Sequence, residues 1–193
     1  SSTSRGLGDV YKRQGFIFNR AMVKEYAPKY FAGMPLGTSN DQGSGIRLGQ
    51  SVGGETDHMD RVTAWRFLNP PLAFAQGMVV NQAGKRFCNE MVYGATLGDA
   101  MCENNEGKAY LVLDAALYDE AKKQASVALP FQRDMARMLM YFNSRKKSTI
   151  GDLAKVYGIP EKGLIASLEE YNQSAQNKMP CKFGKAAEDV KEL

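Results

Sequence analysis

The stretch Met78-Val-Val-Asn-Gln-Ala-Gly-Lys-Arg-Phe-Cys-Asn-Glu90 decides how this chain is read. Met78, Val79 and Val80 make a short apolar run of strand type. Asn81 to Gly84 supply turn chemistry, because Gly84 takes a positive φ without a Cβ clash. Arg86, Phe87 and Cys88 resume an extended run, and Glu90 sits just past it. The stretch predicts two strands folded on a tight turn, 78–80 against 86–88. Arg86 and Glu90 have the charges to form an ion pair that ties this hairpin to the helix following it.

Helical patterns flank the hairpin. Upstream, Asn19 can cap a helix over 20–25, and Pro28 ends it. A glycine-punctuated helix follows in Gly43-Ser-Gly-Ile-Arg-Leu-Gly-Gln-Ser-Val-Gly-Gly54. Its small residues imply close backbone contact with a neighbouring element or a bound nucleotide. Residues 60–68 read as strand or extended loop, and Pro70-Pro71 stops regular structure. Downstream, 95–103 has helical spacing and 108–114 is the clearest strand. Helices follow over 117–124, 133–142 and 149–158, the last ending on Gly158. Pro160 opens a final helix, with Leu164, Ile165, Leu168 and Tyr171 as its buried stripe.

Composition is that of an ordinary globular protein, with 44% hydrophobic and 24% charged residues. Net charge is +4. Arg5, Lys12 and Arg13 against Asp9 supply half of it, and the remainder is too weak to argue for nucleic acid. No apolar run approaches the roughly 20 residues that span a bilayer. Three cysteines, Cys88, Cys102 and Cys181, have no CxxC spacing. A disulfide framework or a metal site is therefore not expected, and the thiols fit a reducing, cytoplasmic setting. Cys88 reads as a small buried hydrophobe. Residues 1–14 resemble translated sequencing-adapter sequence, so they read as a non-native leader outside the fold argument. The sequon Asn172-Gln-Ser174 is treated as chance.

Taken together, Gly15-Phe-Ile-Phe-Asn19, the 43–54 helix and the 78–90 stretch resemble the FAD-dependent fumarate reductase/3-ketosteroid dehydrogenase superfamily. That superfamily shows a Gly-Gly-Phe-x-x-Asn turn, a Gly-Asp-Gly-Ile helix and Val-Asn-x-x-Gly-x-Arg-Phe-x-Asn-Glu, in this order. The resemblance implies an α+β chain: a partial flavin-binding domain at 15–68, an inserted α+β cap domain for substrate at 69–177, and a return to the flavin domain over 178–193. The Gly-x-Gly-x-x-Gly turn that holds the FAD pyrophosphate is not in this sequence. The chain thus reads as the middle of a longer enzyme, one that alone binds FAD poorly. Gly43, Ser44 and Gly45 are the implied cofactor contacts.

The same resemblance names the candidate chemistry. Members move a hydride between flavin and a carbon beside a carbonyl, and the protein supplies geometry and a proton. Fumarate reductases use an arginine five residues after the motif asparagine. Here that position is Gly94, and the His-Pro-Thr signature is replaced by Trp65-Arg-Phe-Leu-Asn-Pro-Pro71. Ketosteroid dehydrogenases place a tyrosine at the same point, and Tyr93 lies four residues after Asn89. Tyr93 is therefore the candidate catalytic residue, against a half-buried aromatic with a bonded hydroxyl. Trp65, Arg66 and Tyr141 are candidate substrate contacts; Trp65 reads equally as core filler. Met135, Met138, Met140, Tyr141 and Phe142 form either a core stripe or an adaptable apolar wall. His58, among acids, reads as a surface histidine, and Asn89 as a partner for local backbone. The partner is a small molecule, bulky and apolar rather than a dicarboxylate. The oligomeric state is left open.

Overall fold

The computed structural model describes residues 15–66, 68–142 and 144–193. The expectation that residues 1–14 pack on nothing falls outside the described residues. The chain forms two compact units, divided between Ala64 and Trp65.

In the first unit, α1 spans Arg20–Tyr26 and α2 spans Ser44–Ser51. Asn19 caps α1 as its sequence position predicts: its side chain accepts from the Met22 amide at 3.2 Å. The same side chain donates to the Gln42 carbonyl at 3.1 Å. Phe18 N–H bonds Asp41 O at 3.0 Å, and Gly43 N–H bonds Gly15 O at 2.9 Å. The two glycine-bearing motifs are therefore stapled side by side, with Val23 and Ala27 buried beneath them.

In the second unit, α3 spans Leu72–Gln76, β1 Met78–Val80, α4 Gly94–Asn105 and β2 Tyr110–Val112. Then come α5 Ala115–Val127, α6 Pro130–Phe142, α7 Ile150–Tyr157 and α8 Glu161–Gln176. Local signals set several boundaries. Asp114 caps α5 through the Leu117 amide, Thr149 caps α7 through the Asp152 amide, and left-handed Gly158 ends α7. Short 3₁₀ turns at Lys182–Gly184 and Ala187–Asp189 follow α8.

β1 lies at the centre of this unit and is buried along its whole length. Side chains alternate across a strand, so Val79 enters one apolar cluster with Phe74, Leu97 and Leu117. Met78 and Val80 enter another, with Val112, Leu164 and Tyr171. One three-residue strand thus joins two cores.

Of the expected hairpin the structure keeps the turn and one bridge, not a second strand over 86–88. β1 pairs antiparallel with β2, in register Met78↔Val112, Val79↔Leu111 and Val80↔Tyr110. Residues 86–88 make only one bridge, Val80↔Arg86. The turn itself forms: Asn81 Oδ1 accepts from the Ala83 and Lys85 amides at 3.0 Å each. Beyond Arg86 the chain winds rather than extends. Asn89 Oδ1 takes the Met91 amide at 2.9 Å, and Asn89 O takes Val92 N–H at 3.4 Å. The described regular structure is accordingly mostly helical, with one two-stranded sheet. Helix α3, directly after Pro70-Pro71, was not expected. Residues 60–66 and 68 are in no strand.

Gly84 meets two demands in the turn. Its φ is +72°, and a Cβ there would lie 2.6 Å from Leu164 N. The turn therefore sits directly on the first two turns of α8, where Ser167 Oγ donates to Gly84 O at 2.7 Å.

Candidate functional site

Trp65 and Tyr93 come together in the second unit. Their rings meet edge-on, 4.6 Å between centroids and 73° between planes. The backbone holds them there, because Arg66 N–H donates to Gly94 O at 3.0 Å. Gly94 permits this approach: a Cβ would lie 2.9 Å from Arg66 O and 3.4 Å from the Trp65 ring. Both rings stay open to solvent, Trp65 41% and Tyr93 66% exposed. An edge-to-face pair with one phenol pointing outward presents an apolar wall and a proton-bearing oxygen together. Burial pulls the guanidinium pKa of Arg66 below its ordinary value. Of the expected site residues, the fold brings together the catalytic candidate Tyr93, the substrate candidate Trp65 and the backbone of Arg66. Tyr141, 70% exposed on α6, makes no ring contact with that pair.

The methionine stripe on α6 divides. Met140 is in the core, while Met138, Tyr141 and Phe142 are exposed. Met135 lines a narrow crevice of about 20 Å³ with Pro70, Phe74 and Leu139. That is room for one water, far less than a bulky substrate needs.

In the first unit, Gly43 is the left-handed residue (φ +77°) that starts α2, and no side chain caps this helix end. Among the described residues, the amides of Ser44 and Gly45 have no side-chain acceptor. The Cβ side of Gly43 packs on Met22, where a Cβ would lie 2.6 Å from Sδ, so it is the uncapped amides that suit an oxygen of a nucleotide cofactor. The residues at this end fit the group the sequence implies.

Beneath the Tyr93 turn lies a buried charge cluster. Glu90 Oε1 accepts from Val79 N–H and Arg86 Nε, each at 3.0 Å. Its Oε2 accepts from Arg86 Nη2 at 2.8 Å and lies 3.4 Å from Lys185 Nζ. Lys185, wholly buried, also donates to Gly77 O and to Tyr171 Oη at 2.7 Å each. Tyr171 Oη in turn donates to Gln76 O at 2.6 Å. Burial lowers the Lys185 pKa and Glu90 opposes that only in part. Burial also pulls on Arg86, but its bonds and charge pairing with Glu90 win and hold it above its ordinary value. The Arg86–Glu90 pair was expected from sequence. Lys185 was not: it lies in a short polar loop with no periodic pattern, and only the buried acid at position 90 hinted at a further cation.

The remaining candidates behave as surface or core. His58 is exposed beside Asp57, Nε2 to Oδ2 3.3 Å. Cys88 is buried, and burial pushes its thiol up to about 12. The three cysteines are free. Among the described residues no group of His, Cys, Asp and Glu could hold a metal ion. No described helix is long and apolar enough to cross a membrane.

Comparison with known proteins identifies the family. A family model described as an FAD binding domain matches residues 8–190. The chain is 38% identical to the 3-oxo-5-alpha-steroid 4-dehydrogenase of Comamonas testosteroni, over 82% of this chain and 30% of that protein. It is 27% identical to fumarate reductase 1 of Saccharomyces cerevisiae, over 78% and 34%. Among solved structures, a 3-ketosteroid-delta4-(5alpha)-dehydrogenase from Rhodococcus jostii RHA1 matches with a TM-score of 0.73 at 24% identity, over 93% of this chain and 35% of the other. At that identity the match speaks to fold. The chain spans about a third of the length of these relatives. It belongs to the FAD binding domain family, within the superfamily that includes FAD-dependent fumarate reductases and 3-ketosteroid dehydrogenases.

Proposed function

We propose that this chain is part of an FAD-dependent oxidoreductase that reduces or desaturates a carbon–carbon bond beside the carbonyl of a bulky, apolar, ketosteroid-like substrate. The observation that carries this is the exposed Trp65–Tyr93 pair, pinned through Arg66 and Gly94. Residues 69–177 act as the cap over substrate, and residues 178–193 lead back to the flavin domain. The free thiols support a cytoplasmic setting.

Gly43, Ser44 and Gly45 would hold part of the FAD at the open start of α2. When bound, the flavin supplies a hydride acceptor or donor. Tyr93 Oη moves the matching proton at the carbon next to the carbonyl. Trp65 forms a flat apolar wall beside it, and the Arg66 guanidinium orients the carbonyl as a charged donor. Tyr141 lines a separate part of the substrate path on α6.

The dicarboxylate alternative has less support. The position that carries the acid arginine in fumarate reductases is Gly94. A side chain there would run into Arg66 O.

The test uses the complete, FAD-loaded enzyme with a 3-ketosteroid and with fumarate. Turnover of the steroid is expected, falling about 10²-fold or more in Tyr93→Phe with little change in KM. A preference for fumarate, or wild-type kcat in Tyr93→Phe, would overturn the reading.

A further inference from the structure

We infer that Lys185 is a positioning residue for Tyr93, acting through the buried carboxylate of Glu90. This rests on the reading that Tyr93 reaches substrate.

Glu90 and Tyr93 belong to one short rigid segment. Asn89 closes a turn over Met91 and Val92, and Tyr93 follows as the residue that starts α4. Glu90 is the part of this segment that points inward. It accepts three hydrogen bonds, from the Val79 amide and twice from Arg86, and its Oε2 lies 3.4 Å from Lys185 Nζ. Arg86 lies on the same stretch of chain as Glu90 and also reaches the loop after α8, donating to Cys181 Sγ at 3.2 Å and Lys182 O at 3.5 Å. Val79 ties the segment to the central strand. Lys185 is the second connection to that loop, and the one made by the Glu90 carboxylate itself.

Lys185 is itself held. Its Nζ donates to Gly77 O just before β1, and to Tyr171 Oη on α8. The cation therefore bridges three segments at fixed distances, with no exposure to water. A flexible lysine normally has many rotamers, and here two hydrogen bonds and one ion pair hold it in place. Removing the charge leaves Glu90 beside a single cation and frees the 89–93 turn to shift. A displacement on the order of 1 Å at a proton-transfer group lowers turnover by up to about 10²-fold.

The test is a double-mutant cycle in the complete FAD-loaded enzyme, with hydrogen exchange as a second readout. Lys185→Met should lower kcat about 10-fold with KM nearly unchanged. It should also speed amide exchange over residues 89–97. Lys185→Arg should restore most of both. In a Tyr93→Phe background, Lys185→Met should cost less than about 2-fold, because the group it positions is gone. Equal losses in both backgrounds, or unchanged exchange over 89–97, would overturn the proposal. If Tyr93→Phe alone keeps full kcat, the catalytic reading fails, and exchange over 89–97 still decides the positioning claim. Should Lys185→Met fail to fold, Lys185→Gln keeps a donor in the same place, removes the charge and carries the same expectations.

Discussion

Arg86 and Glu90 form a two-pronged ion pair, Nε to Oε1 at 3.0 Å and Nη2 to Oε2 at 2.8 Å, with both side chains sealed from water. Its ends lie four residues apart across the turn that leads to Tyr93. The planar guanidinium matches the carboxylate fork. Removing one partner strands the other charge in the interior. Arg86→Ala should therefore destabilise the protein by about 3–5 kcal/mol. Arg86→Lys keeps the charge but not the fork, and should lose less. Urea unfolding midpoints of the two variants give the ranking; equal midpoints would mean the pair adds nothing through its geometry.

Gly84 and Gly158 separate two glycine effects. Both have positive φ, +72° and +66°. A Cβ at Gly158 meets nothing within 4 Å, whereas at Gly84 it meets the Leu164 amide nitrogen at 2.6 Å. Gly158→Ala should cost about 1–2 kcal/mol, the strain of a left-handed alanine. Gly84→Ala should cost about 3 kcal/mol, because backbone must also shift. Thermal unfolding of both variants checks the order.

Tyr171→Phe removes a hydroxyl that donates to Gln76 O and accepts from Lys185 Nζ. The ring keeps its packing. The buried lysine loses one of its acceptors, so the loss should be about 1–3 kcal/mol. A stability equal to wild type would show that the hydroxyl contributes nothing net.

Cys88 gives a pH signature. Its thiol pKa is 9.0 ordinarily and is pushed up to about 12 by burial, with Glu90 nearby adding to the rise. Between those values the folded chain holds a proton that the unfolded chain has released. Stability from this group is therefore complete below about pH 9. It is lost as pH rises through the window, by about 1.4 kcal/mol per pH unit. The difference between wild type and Cys88→Ala, followed by denaturation from pH 8 upward, should shrink as pH rises. A constant difference would contradict the assignment.

Trp65→Ala should act on binding more than on chemistry. The indole is an apolar wall against Tyr93. Its loss should raise KM for a bulky apolar substrate several-fold while Trp65→Phe keeps most of the affinity. Steady-state kinetics of the complete enzyme separate the two.

Local sequence determined much of this protein. Asn19, Thr149 and Gly158 set helix ends because capping needs only a few adjacent residues. The 3.6-residue period exposed the face of α8 that buries Leu164 and Tyr171. The family was legible from Gly15–Asn19, the glycine helix and the 78–90 stretch, because each motif is contiguous. Tertiary structure decided the rest. β1 has two edges: one carries β2 and the other only the single bridge Val80↔Arg86. The expected second strand stops there because the Arg86 side chain turns inward to Glu90 and the chain winds beyond it. Trp65 reaches Tyr93 only because Gly94 lets two distant backbones touch. Lys185 carries no local sign of burial. A cation enters the interior only where an acid, a carbonyl and a hydroxyl converge on it, and Glu90, Gly77 and Tyr171 converge only in the folded chain.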